Sequence, residues 1–589
     1  MRQPIEERFA ASDGTELFYR RWPAVASDEP RGAALLFHRG HEHSGRLQEV
    51  VDGLDLPGFE MFAWDARGHG RSPGERGWAA HFGVLAHDAD AFLRHLTATH
   101  GYAPEEVAVV AQSVGAVTAA AWLHDFAPRV RCAVLAAPAF EVKLYVPLAI
   151  PGLRLLQKVK DPSYVQSYVK AKFLTHDPAR IASYQSDPLI SRAIAVNVLI
   201  DLFDTSKRVI ADAAAIQVPV QVLASGSDFV VKKGPQRRFF ARLGSKDKEF
   251  HEFPGFYHDT LGEKDRHLPL GKARDFIRRQ FATPPATPSL LDADQRGYTR
   301  DELDRLRGPA APLAGLGFAV TRGALGSLGR LSDGIRLGLT TGFDSGSTLD
   351  YVYRDHPAGR TPLGRMFDAA YLDSIGWRGI RIRRRHLEDM LAEAFARLEA
   401  AGRPVRLVDV AAGHGRYALT ALAGLGMNGG NGATALLRDW SDLNVERGRA
   451  LIAEMGLDGR VTFERGDAFD PASLSEIPAD RTVGVVSGLF ELFPANEGVR
   501  RSLAGLAKAI EPGGYLLYTN QPWHPQLEFI ARVLASHRDG QPWIMRRRTQ
   551  GEMDELVSAA GFRKLAQKID RWGIFSVSLA ERADERVDG

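Results

Sequence analysis

The sequence predicts an α/β protein made of two doubly wound units in tandem. The first observation behind this is length: 589 residues exceed what one core supports at ~100–200 residues per domain. The second is an alternation of short apolar runs with amphipathic helical stretches that proceeds, stops and restarts. The third is the segment 282–289, ATPPATPS. It has three prolines in eight residues and no large apolar side chain, and reads as a semi-rigid exposed connector.

The first block of strands is AALLF at 33–37, FEMFAW at 59–64, VAVVA at 107–111, CAVLAA at 132–137 and VPVQVLAS at 218–225. Continuous apolar strands separated by amphipathic helices are what a parallel sheet covered on both faces requires. The second block is VRLVDVAA at 405–412, ATALLRDW at 433–440, VTFERGD at 461–467, TVGVVSGLF at 482–490 and GYLLYTN at 514–520. The resulting division is a first domain over 1–281, with an insertion at about 139–217. A linker follows over 282–300, a helical, glycine-interrupted segment over 301–400, and a second domain over 401–589.

Composition bounds the function. Hydrophobic residues make up 44% and charged residues 25%, as in ordinary globular proteins. A net charge of +3 makes no electrostatic case for nucleic acid as a partner. The basic clusters 381–385 and 546–548 read as solvated faces. Cys132 is the sole cysteine, which excludes an intramolecular disulfide, a cysteine zinc site and an iron–sulfur cluster. The opening MRQPIEERFAASDG has no apolar core of signal-peptide type, and no run reaches the ~18 apolar residues of a membrane span. The expectation is a cytoplasmic protein whose sites hold no metal.

In the first block, strand VAVVA runs into Gln112-Ser113-Val114-Gly115 and then a small-residue helix. A serine on a sharp strand-to-helix turn stands out of the sheet, and the turn needs small residues two before and two after it. Ala111 and Gly115 supply them. The strand VQVLAS leads to Asp228, and the loop FPGFYHD carries His258. The order Ser, Asp, His at strand ends predicts a nucleophilic triad in which the acid orients the imidazole and the imidazole takes the serine proton.

Residues 38–46, His-Arg-Gly-His-Glu-His-Ser-Gly-Arg, and 65–72, Asp-Ala-Arg-Gly-His-Gly-Arg-Ser, carry a resemblance. They resemble the H-G-x-x-E-H-S-G-R and D-x-R-G-H-G-x-S loops of the monoacylglycerol lipases and lysophospholipases, which are α/β-hydrolases with a helical lid. Residues 184–189, Tyr-Gln-Ser-Asp-Pro-Leu, are similar to a helix in that family's cap. The resemblance covers about 7–281. It implies an oxyanion hole from the backbone N–H groups of Gly40 and Val114, and a lipid-like ester as substrate. Arg39 stands where the family has glycine, so its side chain is expected to reshape the hole or bind an anionic headgroup. The histidines 38, 41 and 43 are expected to be structural. The insertion contains ten apolar residues at 144–153 flanked by Lys143, Arg154, Lys158 and Lys160. That stretch suits an interfacial segment touching a membrane, or an acyl-tunnel wall; an ordinary buried cap helix is the alternative.

In the second block, strand VRLV ends in Asp409-Val410-Ala411-Ala412-Gly413-His414-Gly415. Glycines there let a ligand approach the backbone at the carboxyl end of the first strand. Taken alone, the loop suits a dinucleotide fingerprint or a tight turn. Its spacing resembles instead the D-x-G-x-G-x-G loop of class I S-adenosylmethionine methyltransferases, with Ala411 replacing the first glycine. The resemblance implies a Rossmann-like fold with S-adenosylmethionine as cofactor, its ribose on Asp439 and its adenine beside Asp467 and Phe469. Glu491 and His524 are the candidate acceptor-site residues, with core or loop roles as the alternative. No Asn-Pro-Pro-Tyr motif follows the fourth strand, which disfavours a nucleobase or amide nitrogen as acceptor. Residues 350–353 and 376–381 are expected to cover the donor. The tandem resembles bifunctional bacterial hydrolase–methyltransferase fusions. Rival readings are a carboxylesterase for small soluble esters, and a lipid-binding pseudo-hydrolase, suggested by Arg39 and Ala111, that serves the methyltransferase.

Overall fold

Strands buried on both faces must be apolar throughout, and the runs that read that way form the centres of two sheets in the computed structural model. The structure describes residues 2–25, 31–146, 148–160, 162–167, 169–285, 288–425, 432–538 and 540–583. Pro147 of the apolar insertion, residues 286–287 of the connector and the end of the second block, 584–589, lie outside the described residues. The chain divides into two units, Met1–Pro288 and Ser289–Gly589.

In the first unit the strands are β1 (Ile5–Ala10), β2 (Glu16–Trp22), β3 (Gly32–Phe37), β4 (Phe59–Trp64), β5 (Val107–Gln112), β6 (Cys132–Ala136), β7 (Tyr164–Gln166), β8 (Ala193–Ala195), β9 (Val220–Ser225) and β10 (Lys248–Phe253). Eight form one sheet in the order β1-β2-β4-β3-β5-β6-β9-β10, and β7 pairs with β8 separately. Every residue of β3, β4, β5, β6 and β9 is buried. The sheet is not wholly parallel, since β1 and β2 add an antiparallel edge. β1 (IEERFA) is mostly polar, and in β2 (ELFYRRW) the apolar run is only the three buried residues Leu17, Phe18 and Tyr19. Between β6 and β9 lie the helices Ala149–Val159, Pro178–Ser186 and Val196–Ala211 with the β7–β8 pair.

The second unit opens with six helices, Tyr298–Arg307, Pro312–Gly326, Asp333–Thr341, Gly346–Arg354, Pro362–Leu372 and Ile375–Ala400. Among the described residues seven strands follow: β11 (Arg406–Asp409), β12 (Thr434–Asp439), β13 (Val461–Arg465), β14 (Arg481–Val486), β15 (Ile510–Asn520), β16 (Phe562–Ile569) and β17 (Ser576–Arg582). Their order is β13-β12-β11-β14-β15-β17-β16, with β17 antiparallel to both neighbours. The order reverses between β11 and β14, and the crevice at that switch point is where such sheets bind ligands.

The solvated-face expectation fails for 546–548, and in 381–385 for Arg383 alone, since Arg385 is exposed and Arg381 and Arg384 are half-buried. Arg546, Arg547 and Arg548 are all buried. Arg546 Nη2 donates to Glu552 Oε1 at 2.6 Å and Arg548 Nη1 to the Phe490 carbonyl at 2.6 Å. These partners come from other segments, so a charge run alone could not reveal them. Arg383 is likewise buried.

Candidate active sites

Ser113 links β5 to the helix Val114–Asp125 with φ 58° and ψ −118°, a backbone state that costs a non-glycine residue of order 1–3 kcal/mol. A side chain at Gly115 would stand 2.4 Å from the His38 carbonyl oxygen, so this turn demands glycine there, while Ala111 is accommodated fully buried. Ser113 Oγ donates to His258 Nε2 at 2.7 Å, and His258 Nδ1 donates to Asp228 Oδ2 at 2.8 Å. The other carboxylate oxygen, Oδ1, accepts from the amides of Val230 (2.7 Å) and Val231 (2.9 Å). Burial raises the Asp228 pKa, but the facing imidazole and these donors outweigh it and hold the group below the ordinary carboxylate value. Ser113, His258 and Asp228 are therefore in the hydrogen-bonded sequence that a nucleophile, its base and an orienting acid require. Gly40 lies against Val114, since a Cβ on Gly40 would meet Val114 Cγ2 at 3.0 Å. As the first residue of its helix, Val114 has an amide without an intrahelical acceptor.

Arg39 does not reach for a headgroup. Its Nε and Nη2 donate to both oxygens of Glu42 (3.0 and 2.6 Å), and Nη2 lies 3.4 Å from Asp259 Oδ2. Arg180 Nε joins Asp259 at 2.9 Å, and all four side chains are buried. The charge at Arg39 is thus neutralised inside the fold. The neighbouring histidines make structural hydrogen bonds. His38 Nδ1 donates to the Arg39 carbonyl (2.7 Å) and its Nε2 accepts from the Ala66 amide (3.0 Å). His43 Nε2 donates to Asp187 of the cap at 3.0 Å. His41 is pushed down to about 4 by burial. Gln112, Asp259 and Arg180 escaped the sequence reading; the only available signal was that the first two flank Ser113 and His258.

The apolar insertion is exposed. The helix Ala149–Val159 has no buried residue, Leu148 is 80% exposed, and Tyr145, Val146, Leu155 and Val159 are exposed with it. A buried cap helix is therefore excluded. A cavity of about 760 Å3 is lined by Phe140, Leu144, Leu148, Ile150, Leu199 and Phe203 among others, and neither Ser113 nor His258 is on its lining.

In the second unit Gly413 (φ 60°) and Gly415 (φ 76°) hold the left-handed backbone of the loop after β11, and a Cβ on Gly415 would strike Leu437 at 2.5 Å. Ala411, Gly413 and Gly415 line a hollow of about 30 Å3 with Gly346, Asp350, Tyr353, Arg383 and Ser487. The helix Gly346–Arg354 closes it: Arg416 Nε donates to Asp350 Oδ1 at 2.5 Å, and His414 lies 3.4 Å from Ser347. Asp409 sits behind the loop, fully buried, with Oδ2 accepting from the Tyr417 hydroxyl (2.7 Å) and Oδ1 from the Ala411 amide (3.3 Å). Burial pushes its pKa up to about 7. Asp439 accepts from the amides of Gly413 and Ser441 and from Asn444 Nδ2, each at 2.9 Å. Asp467 accepts from the Phe469 amide (2.8 Å), and Phe469 packs edge-on against Phe493; neither lines the hollow. Glu491 and His524, by contrast, share one cavity of about 560 Å3 with Arg383, Gln521, Trp377 and Trp543. His524 Nδ1 accepts from the Gln526 amide at 3.0 Å, and burial pushes its pKa down to about 4.

Fold and geometry together define an α/β-hydrolase domain joined to a Rossmann-like domain of methyltransferase type. A family described as "Putative methyltransferase" matches residues 273–582, and one described as "Serine aminopeptidase, S33" matches residues 28–265. The "Uncharacterized protein YnbC" of Escherichia coli is 53% identical over 585 residues, 99% of each chain. The human "Monoglyceride lipase" is 30% identical over 258 residues, 42% of this chain and 81% of its own. A solved monoacylglycerol lipase from Paleococcus ferrophilus aligns with 45% of this chain and 99% of its own at 24% identity and a TM-score of 0.41. The chain belongs to the family described as "Putative methyltransferase", and its first unit to the monoglyceride lipase family. Among the described residues, no helix is long and apolar enough to cross a membrane.

Proposed function

We propose that the chain is a bifunctional enzyme. The first unit hydrolyses a carboxylic ester of a lipid-like substrate through Ser113, and the second transfers a methyl group from S-adenosylmethionine to a small or lipid-linked acceptor. The observation that carries the hydrolase half is the Ser113–His258–Asp228 chain with the serine held in a left-handed backbone. His258 takes the serine proton as Oγ attacks the ester carbonyl, then gives it to the leaving alcohol. Water enters by the same base to release the acid. The amides of Gly40 and Val114 are the proposed oxyanion donors, worth ~3–4 kcal/mol each. The 760 Å3 cavity and the exposed apolar insertion on its wall, with Arg154, Lys158 and Lys160 alongside, support a lipid-like substrate met at a membrane surface. The human relative's name, monoglyceride lipase, points the same way.

For the second half, the donor set fits S-adenosylmethionine. Two glycines hold left-handed backbone, with a side chain at Gly415 blocked by Leu437, an acidic residue ends β12, and Ser487 Oγ and Arg383 Nε are buried beside the loop without a hydrogen-bond partner among the described residues. Ala411, Gly413 and Gly415 would cradle the amino-acid part, Asp439 would accept from the ribose, and Asp467 and Phe469 would flank the adenine. Asp409 holds the loop from behind. When bound, the donor supplies an electrophilic methyl group. Binding requires the helix Gly346–Arg354 to withdraw, releasing the Asp350–Arg416 pair. Incubating the protein with methyl-labelled donor and a cell lipid extract, and separately with long- and short-chain esters, tests both halves. Label in an organic-phase product and acid released from the esters are expected; neither appearing would defeat the reading.

A further inference from the structure

The cavity shared by Glu491 and His524 holds buried polar atoms that the protein leaves unsatisfied. Glu491 Oε2 and Gln521 Nε2 are buried, line the cavity and have no hydrogen-bond partner among the described residues. Arg383 Nε, Tyr371 Oη and Trp543 Nε1, of residues on the same lining, are orphaned among the described residues as well. An orphaned buried group costs ~1–3 kcal/mol, and five on one cavity mark a place where a ligand completes the bonding. The remaining wall is mostly apolar and aromatic, including Trp377, Phe343, Phe529, Trp543 and Phe575, with Arg383 and Asp344 as its other charged members. Its volume of about 560 Å3 falls within the ~300–1,000 Å3 of ligand sites.

Resting on the methyltransferase reading above, we infer that this cavity is the acceptor site and that it takes a neutral apolar alcohol or phenol, its hydroxyl set between Glu491 and Gln521. Of the five orphans Glu491 Oε2 can only accept and the other four can donate, so they select a head group that does both. Glu491 Oε2 needs a donor and Gln521 Nε2 needs an acceptor, and a hydroxyl is both. A carboxylate would set like charge against Glu491 and donate nothing to it. An ammonium would leave Gln521 unmatched and add charge beside Arg383, whose Nη1 already lies 3.4 Å from Glu491 Oε1. In His524, Nδ1 accepts from the Gln526 amide, so the neutral ring carries its proton on Nε2, a further donor on the wall of the same cavity. The body of the ligand is apolar because the wall is. The helix Pro312–Gly326 adds Leu325 to the wall while exposing Leu313, Leu316 and Val320 on its other side, as suits an acceptor drawn from a lipid phase.

In the transfer, the acceptor O–H bond breaks and its proton passes to Glu491 Oε2. The oxygen forms the new bond to the methyl carbon, and the bond from that carbon to the donor's sulfonium sulfur breaks with its electron pair kept on sulfur. The products are an ether, a neutral thioether and a protonated Glu491, so charge and atoms balance.

The test uses the full-length chain and dodecanol bearing a photoreactive diazirine in its alkyl chain. Labelled peptides are mapped with dodecanol, dodecanoate and dodecylammonium as competitors. Labelling at the wall around Trp377, Phe529 and Trp543 is expected, with dodecanol competing at least about tenfold better than either ion and Glu491→Gln weakening its competition about tenfold. Labelling confined to other peptides, dodecanoate competing as well as dodecanol, or an unchanged Glu491→Gln would overturn the inference. If that variant does not fold, the competitor order on the wild type decides. Calorimetric titration of S-adenosylmethionine is run separately. Alcohol binding without donor binding would retire the methyltransferase reading and leave the alcohol site standing.

Discussion

Gln112 Nε2 donates to Asp259 Oδ1 at 3.0 Å, tying the residue before Ser113 to the residue after His258. Asp259 is held well below the carboxylate range, because Arg180 and Arg39 outweigh the effect of its burial. The proposed nucleophile and base thus share a buried ionic anchor. Gln112→Met should lower kcat on a short p-nitrophenyl ester about tenfold with KM nearly unchanged, since positioning rather than binding is lost. Asp259→Asn leaves two buried guanidinium groups undercompensated and should destabilise the first unit by ~3–5 kcal/mol, read by chemical unfolding. A Gln112 variant with full kcat would show the anchor to be structural only.

Leu148 and Ile150 test the substrate class. Leu148 is mostly exposed while both line the cavity, so replacing both with serine should leave the unfolding midpoint nearly unchanged. The apparent KM for a long-chain monoacylglycerol should rise, because each fully buried apolar side chain is worth ~1.5–3 kcal/mol. An acetate ester should be hydrolysed as before. An unchanged long-to-short ratio would favour a small soluble ester.

How far the sequence carried these conclusions differs by element. Strands buried on both faces, such as β3 and β6, are unbroken apolar runs and were readable. Antiparallel or edge strands such as β10 (KEFHEF) and β16 (FRKLAQKI) have polar sides and were not. The Ser113, Asp228 and His258 set was readable because each follows a parallel strand in the order that fold requires. The Arg39 cluster and the Glu491–Gln521 cavity join residues far apart in the chain, and no local pattern signals them. Asp439 was placed at its strand end, but its bonds to the Gly413 and Ser441 amides depend on how the loop folds back.

Asp409 makes the stability of the second unit depend on pH. Its ordinary value of 3.8 is pushed up to about 7 by burial, against the donors Tyr417 and Ala411 that favour the ionised form. A raised folded-state value means the folded chain holds the proton more tightly than the unfolded one. The contribution is therefore complete below about 3.8 and is lost as pH rises through about 7. The stability of wild type minus that of Asp409→Asn should fall across pH 4 to 7, by at most ~4 kcal/mol at ~1.4 kcal/mol per pH unit. Parallel stability–pH profiles for the two proteins would refute the assignment.

Asp439→Ala removes a carboxylate that holds the glycine loop and is proposed to meet the ribose. Hydrogen bonds to a charged group are worth ~1.5–3 kcal/mol, so affinity for S-adenosylmethionine should fall ~10–150-fold. Calorimetry giving the wild-type affinity would remove Asp439 from the donor site.

The central claim is that an activated serine and a donor pocket coexist in one chain, and the serine is tested most directly by covalent labelling. A fluorophosphonate probe reacts only with a serine whose proton is taken by a positioned base. Treating the full-length protein and mapping the adduct should give a single modified residue, Ser113, with labelling abolished in Ser113→Ala and His258→Ala while both variants still bind S-adenosylmethionine. A folded wild-type protein that takes up no probe, or takes it on another residue, would contradict the account.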